Sequence, residues 1–130
     1  MTPWESFQAY ARQKFDLDQD DADELSLTLT YQYDEGLRKQ RVFIRTYDAM
    51  TRPMIEIRSA FGTTSDYDAG ALLKEALSLP IGGIASHEGV LLIVHKEPLR
   101  TNEFDTLAEL IFEIGWIADS LERKGGLDRF

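Results

Sequence analysis

The acidic segment 16–24, DLDQDDADE, is the first place where side-chain types and spacing suggest chemistry. Three of its aspartates have the one-residue spacing with which a calcium-binding EF-hand loop begins: Asp16, Asp18 and Asp20. The rest of the motif is missing, because Asp21 stands where the loop needs glycine and Leu27 where a bidentate glutamate should close the ligand shell. The segment is therefore predicted to be a solvated connection that holds no metal.

Histidine is the other residue type that often carries catalysis or holds a metal, and the chain has two, His87 and His95. The pair His87-Glu88 lacks the second histidine of a zinc-protease helix, because Leu91 stands at that position. The sequence also has no nucleophile elbow, no Walker A lysine motif, no glycine-rich dinucleotide turn and no cysteine. We therefore expect a protein that is not an enzyme, with no catalytic residue, no metal and no cofactor.

A basic and aromatic stretch suggests binding instead of catalysis. Six of the 14 basic residues fall between Arg38 and Arg58, in a chain whose formal charge is -9. If the stretch forms strands, alternation places five of its side chains on one face of a sheet: Arg41, Phe43, Arg45, Tyr47 and Arg58. Arginine and aromatic residues are enriched at binding hot spots, so these five are the predicted partner-binding residues.

Two other interpretations of this stretch stay open. In one, the face is solvated, and its aromatic rings cover arginine stems or pack on a helix. In the other, the aromatic and arginine side chains stack and hold single-stranded nucleic acid, as sheet-based binders do. The charge of -9 repels a polyanion, so direct nucleic-acid binding is the least favoured of the three.

The elements that must position these residues follow from hydrophobic periodicity. Helical spacing of apolar residues predicts three helices: 3–15, a short one between Ser65 and Pro80, and a long one that starts at Thr101 and ends at Gly125-Gly126. Alternation and turn signals predict five strands: 25–33, 40–47, 54–61, 81–86 and 90–96. The apolar run VLLIV in the last strand is typical of a central strand that is buried on both faces.

Together these elements predict a single α+β domain over residues 1–130. Its order is α-β-β-β-α-β-β-α, with a five-stranded, mainly antiparallel sheet packed with helices. The N-terminus MTPWESF lacks the basic and apolar regions of a signal peptide, and no apolar run approaches the ~20 residues of a membrane span. We therefore expect a cytoplasmic protein that does not enter membranes.

This order of elements, in a chain of this size and acidity, resembles the class I type III secretion chaperones of the Tir-chaperone family and the related YbjN-like proteins. The resemblance covers nearly the whole chain and is strongest in LLKEALSLPIGGIASHEGVLLIVHKEPL followed by EFDTLAELIFEIGWIADSLER. It implies a type III secretion chaperone-like homodimer that binds a segment of a client protein without ATP. The YbjN-like branch implies instead a regulatory or stress-response protein that acts through protein partners.

The resemblance also implies subunit contacts around the second helix and the adjacent hairpin. Four apolar residues are the expected dimer interface: Leu72, Leu73, Ala76 and Ile84. On the final helix, Phe112 and Trp116 lie one turn apart, beside the main apolar stripe. They either widen the core-facing surface or line a groove for a subunit or a client.

Overall fold

Three helices and six strands make up most of residues 1–125, the part of the chain that the computed structural model describes. The helices are α1 (Pro3–Lys14), α2 (Ala69–Ser78) and α3 (Phe104–Lys124). The strands are β1 (Leu17–Asp20), β2 (Glu24–Tyr33), β3 (Gly36–Ala49), β4 (Arg52–Thr63), β5 (Gly83–His87) and β6 (Val90–Pro98). The prediction of an α+β fold is confirmed.

The strands form one antiparallel sheet in the order β1-β2-β3-β4-β6-β5. Tight turns join β2 to β3, β3 to β4 and β5 to β6. Strands β4 and β6 are neighbours in the sheet, although α2 and β5 separate them in the chain. The hairpin predicted at residues 87–89 is present, with positive φ at Glu88 and Gly89, as a two-residue type I′ turn requires.

The prediction of five strands is wrong, because part of the acidic segment forms the edge strand β1. Its apolar residue, Leu17, packs against the core, and its backbone pairs with β2. Two of its carboxylates have local partners: Asp18 accepts a hydrogen bond from Thr28 Oγ1 at 2.6 Å, and Asp20 pairs with Arg12 at 2.6 Å. The segment was predicted to be a solvated connection because its carboxylates repel one another. Strand pairing and these contacts offset that repulsion.

All three helices pack on the same face of the sheet. Trp4, Phe7 and Ala11 of α1 join the core cluster beside the buried stripe of α3, and Leu72 of α2 packs at its margin. The strand side chains that meet them are large, apolar and fully or almost fully buried: Leu25, Leu27, Tyr31, Val42, Ile44, Ile55, Ile57, Phe61, Leu91 and Ile93. Residues 1–125 therefore form two layers, and none of their helices lies on the opposite face of the sheet, called the open face below.

The bounds of the last helix differ from the prediction, whereas the first helix starts where it was predicted to start. The last helix begins after Glu103, two residues beyond the predicted cap Thr101, and no side chain caps it. It ends at Lys124 with Gly125 as its C-cap, while the predicted stop residue Gly126 lies outside the described residues. The first helix starts as predicted, with a capping box between Thr2 and Glu5. None of the helices within residues 1–125 is both long enough and apolar enough to cross a membrane.

Strand β6 is buried on one face, so the prediction that VLLIV is buried on both faces is wrong. Leu91 and Ile93 point into the core. Val90, Leu92 and Val94 point to the open face and are half-buried. Their partial exposure follows from the two-layer arrangement, since the open face has no helix to cover them.

Candidate functional site

The predicted alternation of β3 is present in the structure. Val42 and Ile44 are fully buried in the core, while Phe43 and Arg45 lie on the other side of the strand. Pairing of β3 with β4 places Arg58 opposite Phe43 on the open face. The structure thus brings all five predicted partner-binding residues onto one surface, the cation–aromatic patch: Arg41, Phe43, Arg45, Tyr47 and Arg58.

A row of alternating charges crosses this patch from strand to strand. Register pairs Glu24 of β2 with Arg45 of β3, Arg45 with Glu56 of β4, and Glu56 with Lys96 of β6. Opposite charges that face each other across strands stabilise a sheet. The row is therefore part of what holds four strands in register.

Glu56 is the centre of this row and is nearly inaccessible to solvent, with 4% of its surface exposed. Its two carboxylate oxygens accept hydrogen bonds from Arg45 Nε at 3.0 Å and Arg45 Nη2 at 3.1 Å. Lys96 Nζ lies 3.6 Å and Arg58 Nη1 3.8 Å from the same carboxylate. Burial raises the pKa of Glu56, but the Arg45 hydrogen bonds and the three positive charges outweigh that effect, so its pKa lies below the ordinary value.

Tyr47 is held against the same cations. The Arg45 guanidinium lies 4.8 Å from the centre of the Tyr47 ring, and Lys96 Nζ lies 5.9 Å from it. Both distances are within the range of a cation–π interaction. Arg45 is therefore fixed on one side by Glu56 and on the other by Tyr47.

The other two arginines of the patch have looser partners. Arg41 is more than half exposed, and its Nε lies 4.0 Å from Asp18 Oδ2. Arg58 lies 3.7 Å from Glu24 and 3.8 Å from Glu56, both longer than a hydrogen bond. Arg41, Arg58 and the half-exposed Lys96 thus have donors that an incoming anionic group can use.

An apolar strip runs beside these cations. Phe43, Leu92 and Val94 are half-buried on the open face, and Arg58 pairs with Phe43 on one side and Val94 on the other. A shallow depression of about 480 Å³ lies here. It is lined by the charge row together with residues of β4, β5 and β6: Glu24, Arg45, Glu56, Arg58, Ala85, Ser86, His87, Leu92, Val94 and Lys96. The depression therefore combines the apolar side chains of Leu92 and Val94 with three cations and two carboxylates.

Sequence reasoning missed Leu92, Val94 and Lys96 as parts of this surface. The alternation of β6 indicated that these residues belong together, because Leu92, Val94 and Lys96 are two residues apart and so lie on one face of the strand. What alternation does not give is the neighbour of β6, because β4 and β6 are separated in the chain by α2 and β5. The position of Lys96 opposite Glu56 is therefore visible only in the fold.

Arg38, counted with the basic stretch in the sequence, lies on the helix side of the sheet. Its guanidinium donates to Asp119 at 3.1 Å and to Glu122 at 3.3 Å, and both carboxylates are fully buried. Tyr33 OH donates to Asp119 at 2.9 Å. This cluster ties the β2–β3 hairpin to α3, so Arg38 has a structural place and does not belong to the open face.

The residues weighed for metal binding or catalysis do not converge. Asp18 and Asp20 are engaged by Thr28 and Arg12, as described above. His87 is exposed on β5, and the His95 ring nitrogen lies 2.7 Å from Glu97. Within residues 1–125, no three acidic or histidine side chains are placed to share a metal ion.

The four expected dimer residues fall into two groups. Leu72, Ala76 and Ile84 are half-buried against their own chain, whereas Leu73 points outward with 74% of its surface exposed. Leu77, one turn further along α2, is 91% exposed. The outward face of α2 is therefore formed by Leu73 and Leu77, and no residue of this helix is buried.

Phe112 and Trp116 do not widen the core-facing surface of α3. They are 50% and 47% exposed, and Phe112 packs on the ring of Tyr31 with 5.1 Å between the ring centres. Together with β2 they line a groove of about 290 Å³. The two side chains therefore lie at the margin of the core and line a surface groove beside β2.

Comparison with known proteins assigns no family to this chain. No protein-family model matches it, and no curated protein matches it. Its function must therefore be inferred from its surfaces.

Proposed function

We propose that this chain is a protein-binding module that holds an extended, acidic segment of a partner protein against the open face of its sheet. The observation that carries the proposal is the uncovered apolar strip of Phe43, Leu92 and Val94 beside a cluster of cations. In a two-layer fold the uncovered sheet face is normally polar. The reason is that strands with one buried face alternate apolar residues toward the core with polar residues toward solvent. Apolar residues left on such a face favour a docking surface.

Charge supports an acidic partner segment. The chain as a whole carries -9, yet cations outnumber carboxylates on the open face. Arg41, Arg58 and Lys96 keep donors that are weakly engaged within the chain. Complementary charge at such a surface gives specificity and faster association more than raw affinity.

The five residues of the cation–aromatic patch have different roles in this proposal. Phe43, Arg41 and Arg58 contact the partner, together with Lys96. Arg45 and Tyr47 form the supporting frame, because Arg45 is committed to the buried carboxylate of Glu56 and stacks on Tyr47. An arginine held in this way offers the partner only the remaining edge of its guanidinium.

The resemblance to type III secretion chaperones adds the expectation that the module acts without ATP and keeps a client segment extended. The YbjN-like alternative uses the same surface for a regulatory partner. Single-stranded nucleic acid is the second candidate ligand, favoured by the placement of Phe43 and Tyr47 among arginines on one sheet face. A polyanion meets the repulsion of the whole chain, which is why an acidic protein segment is preferred.

The proposal is tested by recovering partners with wild-type protein and with Phe43→Ala/Arg58→Ala as parallel baits, and then titrating each purified partner. Each substitution should weaken binding of a specific partner by about 1–2 kcal/mol, the size of a moderate hot spot. Arg100→Ala is the charge-matched control, because Arg100 is exposed and lies outside the sheet. It should bind like wild type.

Two outcomes contradict the proposal. If the double variant binds every recovered partner as tightly as wild type, the open face is not the site. If instead a single-stranded oligonucleotide binds the wild type with a salt dependence that the double variant loses, the ligand is nucleic acid. Unfolding free energies of all variants must be measured alongside, so that loss of binding is not mistaken for loss of folding.

We also propose that the chain forms a homodimer through α2 and β5. The outward residues Leu73 and Leu77 supply the apolar contact, so the interface differs from the one expected from the sequence. Strand β5 is the last strand of the sheet, and its residues 83–86 are small or apolar and uncharged. An edge without charges is open to pairing with a second strand.

A further inference from the structure

Strand β2 has an outer edge that β1 covers only in part. Register pairs β1 with residues 25–27, and no strand within residues 1–125 lies opposite 28–33. The hydrogen bonds at the start of β2 show which peptide groups face that edge: Asp23 O accepts from Thr46 N of β3, whereas Glu24 O accepts from Asp21 N on the outer side. With a period of two, the peptide groups of Thr30 and Gln32 also face outward.

The groove of Phe112 and Trp116 lies directly beside this free edge. Its walls are Thr30, Tyr31 and Gln32 of β2 and Phe112, Glu113 and Trp116 of α3. The position of the groove is fixed, because Tyr31 is buried and its hydroxyl donates to the carbonyl of Phe112 at 2.7 Å. Backbone donors and acceptors are therefore presented next to two half-exposed aromatic rings.

The charge around the groove is negative, opposite to that of the open face. Glu113 lines the groove, and Glu109 is exposed one turn before it on the same side of α3. Asp16 is exposed where the chain enters β1. A segment that lies along the edge therefore meets Glu113 in the groove and Glu109 and Asp16 on the side nearer β1. At the other end Arg123 lies over the Tyr33 ring and pairs with Glu35.

We propose that the free edge of β2 binds an extended segment of a partner protein that pairs as an additional strand, places an aromatic or branched apolar side chain in the Phe112–Trp116 groove, and carries lysine or arginine beside it. Strand addition combines main-chain hydrogen bonds with alternate side-chain pockets. Both parts are present here: outward peptide groups at Thr30 and Gln32, and one apolar pocket at the level between them. A helical ligand leaves those peptide groups unpaired.

This surface is distinct from the open face, and its charge calls for a different partner segment. Basic residues beside the apolar anchor complement Glu109 and Glu113, whereas the open face favours acidic residues. The two surfaces meet only at the side chains of Thr30 and Gln32, which point to the open face and are exposed. The inference can therefore fail while the proposed function holds, and the reverse.

The test selects ligands from a random displayed-peptide library on wild-type protein, with Phe112→Ser/Trp116→Ser as counter-selection. We expect peptides with an aromatic or branched residue flanked by lysine or arginine. Their affinity, followed by the emission of Trp116 in a Trp4→Phe background, should fall at least tenfold in Thr30→Pro. Proline at this position removes an outward N–H and none that pairs with β3. Phe43→Ala should leave the affinity unchanged.

Methylation of single backbone amides in a selected peptide gives the decisive readout. Strand addition predicts that binding is lost at every second amide and kept at those between, since only alternate amides face β2. The proposal is overturned if peptide binding is lost without this alternation or if the library yields no peptide. It is equally overturned if the peptides bind Phe112→Ser/Trp116→Ser as tightly as wild type. It is also overturned if light scattering shows a wild-type dimer that Thr30→Pro dissociates, because the occupant of the edge is then a second copy.

Discussion

Glu56 shows how one carboxylate connects the stability of the fold to its binding surface. It is buried on the face that carries no helix, and three cations from β3, β4 and β6 surround it. A buried charge is stable only where partners replace its hydration. Two of these cations, Arg58 and Lys96, are also among those proposed to bind an acidic partner.

We predict that Glu56→Gln lowers the free energy of unfolding at neutral pH by about 1–3 kcal/mol, the cost of losing hydrogen bonds to a charged group. Because the folded-state pKa of Glu56 is below its ordinary value of 4.5, its contribution is present above that value and is lost as pH falls through the folded pKa. Urea unfolding from about pH 7 to about pH 3 should therefore show a shallower decline for Glu56→Gln than for wild type.

Glu24→Gln is the matched control, because Glu24 ends the same row of charges and is more exposed, with Arg58 as a partner at 3.7 Å. Its loss of stability should be smaller. A Glu56→Gln variant that unfolds with the same pH dependence as wild type would show that the network does not stabilise the ionised carboxylate.

The roles of individual residues were only partly predictable from sequence. Alternation placed Phe43 and Arg45 correctly, because a strand period of two depends on nothing beyond the strand itself. It did not reveal that Arg45 is bound to Glu56, since that contact depends on the register between β3 and β4. Arg45→Ala is therefore expected to reduce stability as well as binding, in contrast to Arg41→Ala.

At the scale of elements, Gly115 sets the distance between α3 and the sheet. A methyl group at this position would lie 2.5 Å from Tyr31 Oη and 2.9 Å from Val42 Cγ2. In an exposed helix, glycine to alanine stabilises by about 1 kcal/mol. Here we predict the opposite, a loss of about 1–2 kcal/mol in the free energy of unfolding, because overpacking outweighs the gain in helix propensity.

Chemical denaturation of Gly115→Ala, Tyr31→Phe and the double variant checks this prediction. Tyr31→Phe removes the oxygen closest to the added methyl group and also the hydrogen bond to Phe112 O. If the clash is the cause, the double variant should lose less than the sum of the two single losses. A more stable Gly115→Ala would mean that α3 can shift away from β2 without cost.

The β3–β4 turn is a strained element. Met50 and Thr51 have φ of 54° and 64°, which L-residues other than asparagine rarely adopt, and threonine is β-branched. Asn-Gly is the preferred pair for this two-residue turn. Met50→Asn/Thr51→Gly should therefore raise the unfolding free energy by about 1–2 kcal/mol.

Thermal and urea unfolding measure this gain, and Gly89→Ala in the β5–β6 turn provides the reverse control. Gly89 has φ of 80°, so alanine there should destabilise the protein. An Asn-Gly variant no more stable than wild type would indicate that other contacts of the turn offset its backbone strain.

Elements with strong local signals were predicted and those that depend on tertiary contacts were not. Strands β2, β3 and β4 alternate over many residues, and α1 carries its capping box in the sequence. Strand β1 has four residues, two of them aspartates, so its pattern is that of a loop until β2 lies beside it. The run VLLIV could not reveal that only one face of the sheet is covered.

At the scale of the whole molecule, the sheet separates two kinds of surface. Its open face presents cations beside an apolar strip, and its β2 edge presents carboxylates beside two aromatic rings. The net charge of -9 does not reveal the difference between the two surfaces, because it is summed over the whole chain. A single partner chain with acidic and basic segments could occupy both, which would raise its overall affinity through linkage of the two sites.

The α2–β5 surface leads to a prediction about assembly. Wild-type protein should scatter light at micromolar concentration as a particle of twice the 14.8 kDa chain mass. Leu73→Ser/Leu77→Ser should shift it toward the monomer, because these two leucines are the large apolar side chains that α2 exposes in the single chain. A symmetric pairing through the same patch on both copies is the commonest way for soluble chains to associate.

Leu72→Ala distinguishes an interface effect from a folding effect. Leu72 packs at the margin of the core, so its truncation should lower the unfolding free energy by about 1–2 kcal/mol, at the lower end for a core leucine because it is only half-buried. Leu73→Ser/Leu77→Ser should instead leave the unfolding of the monomer unchanged while weakening self-association at least tenfold. If wild-type protein stays at the monomer mass up to about 100 μM, the homodimer proposal is wrong. The free energy of association would then be weaker than about -5.5 kcal/mol. The uncharged edge of β5 and the exposed leucines of α2 would then be free to bind a different protein.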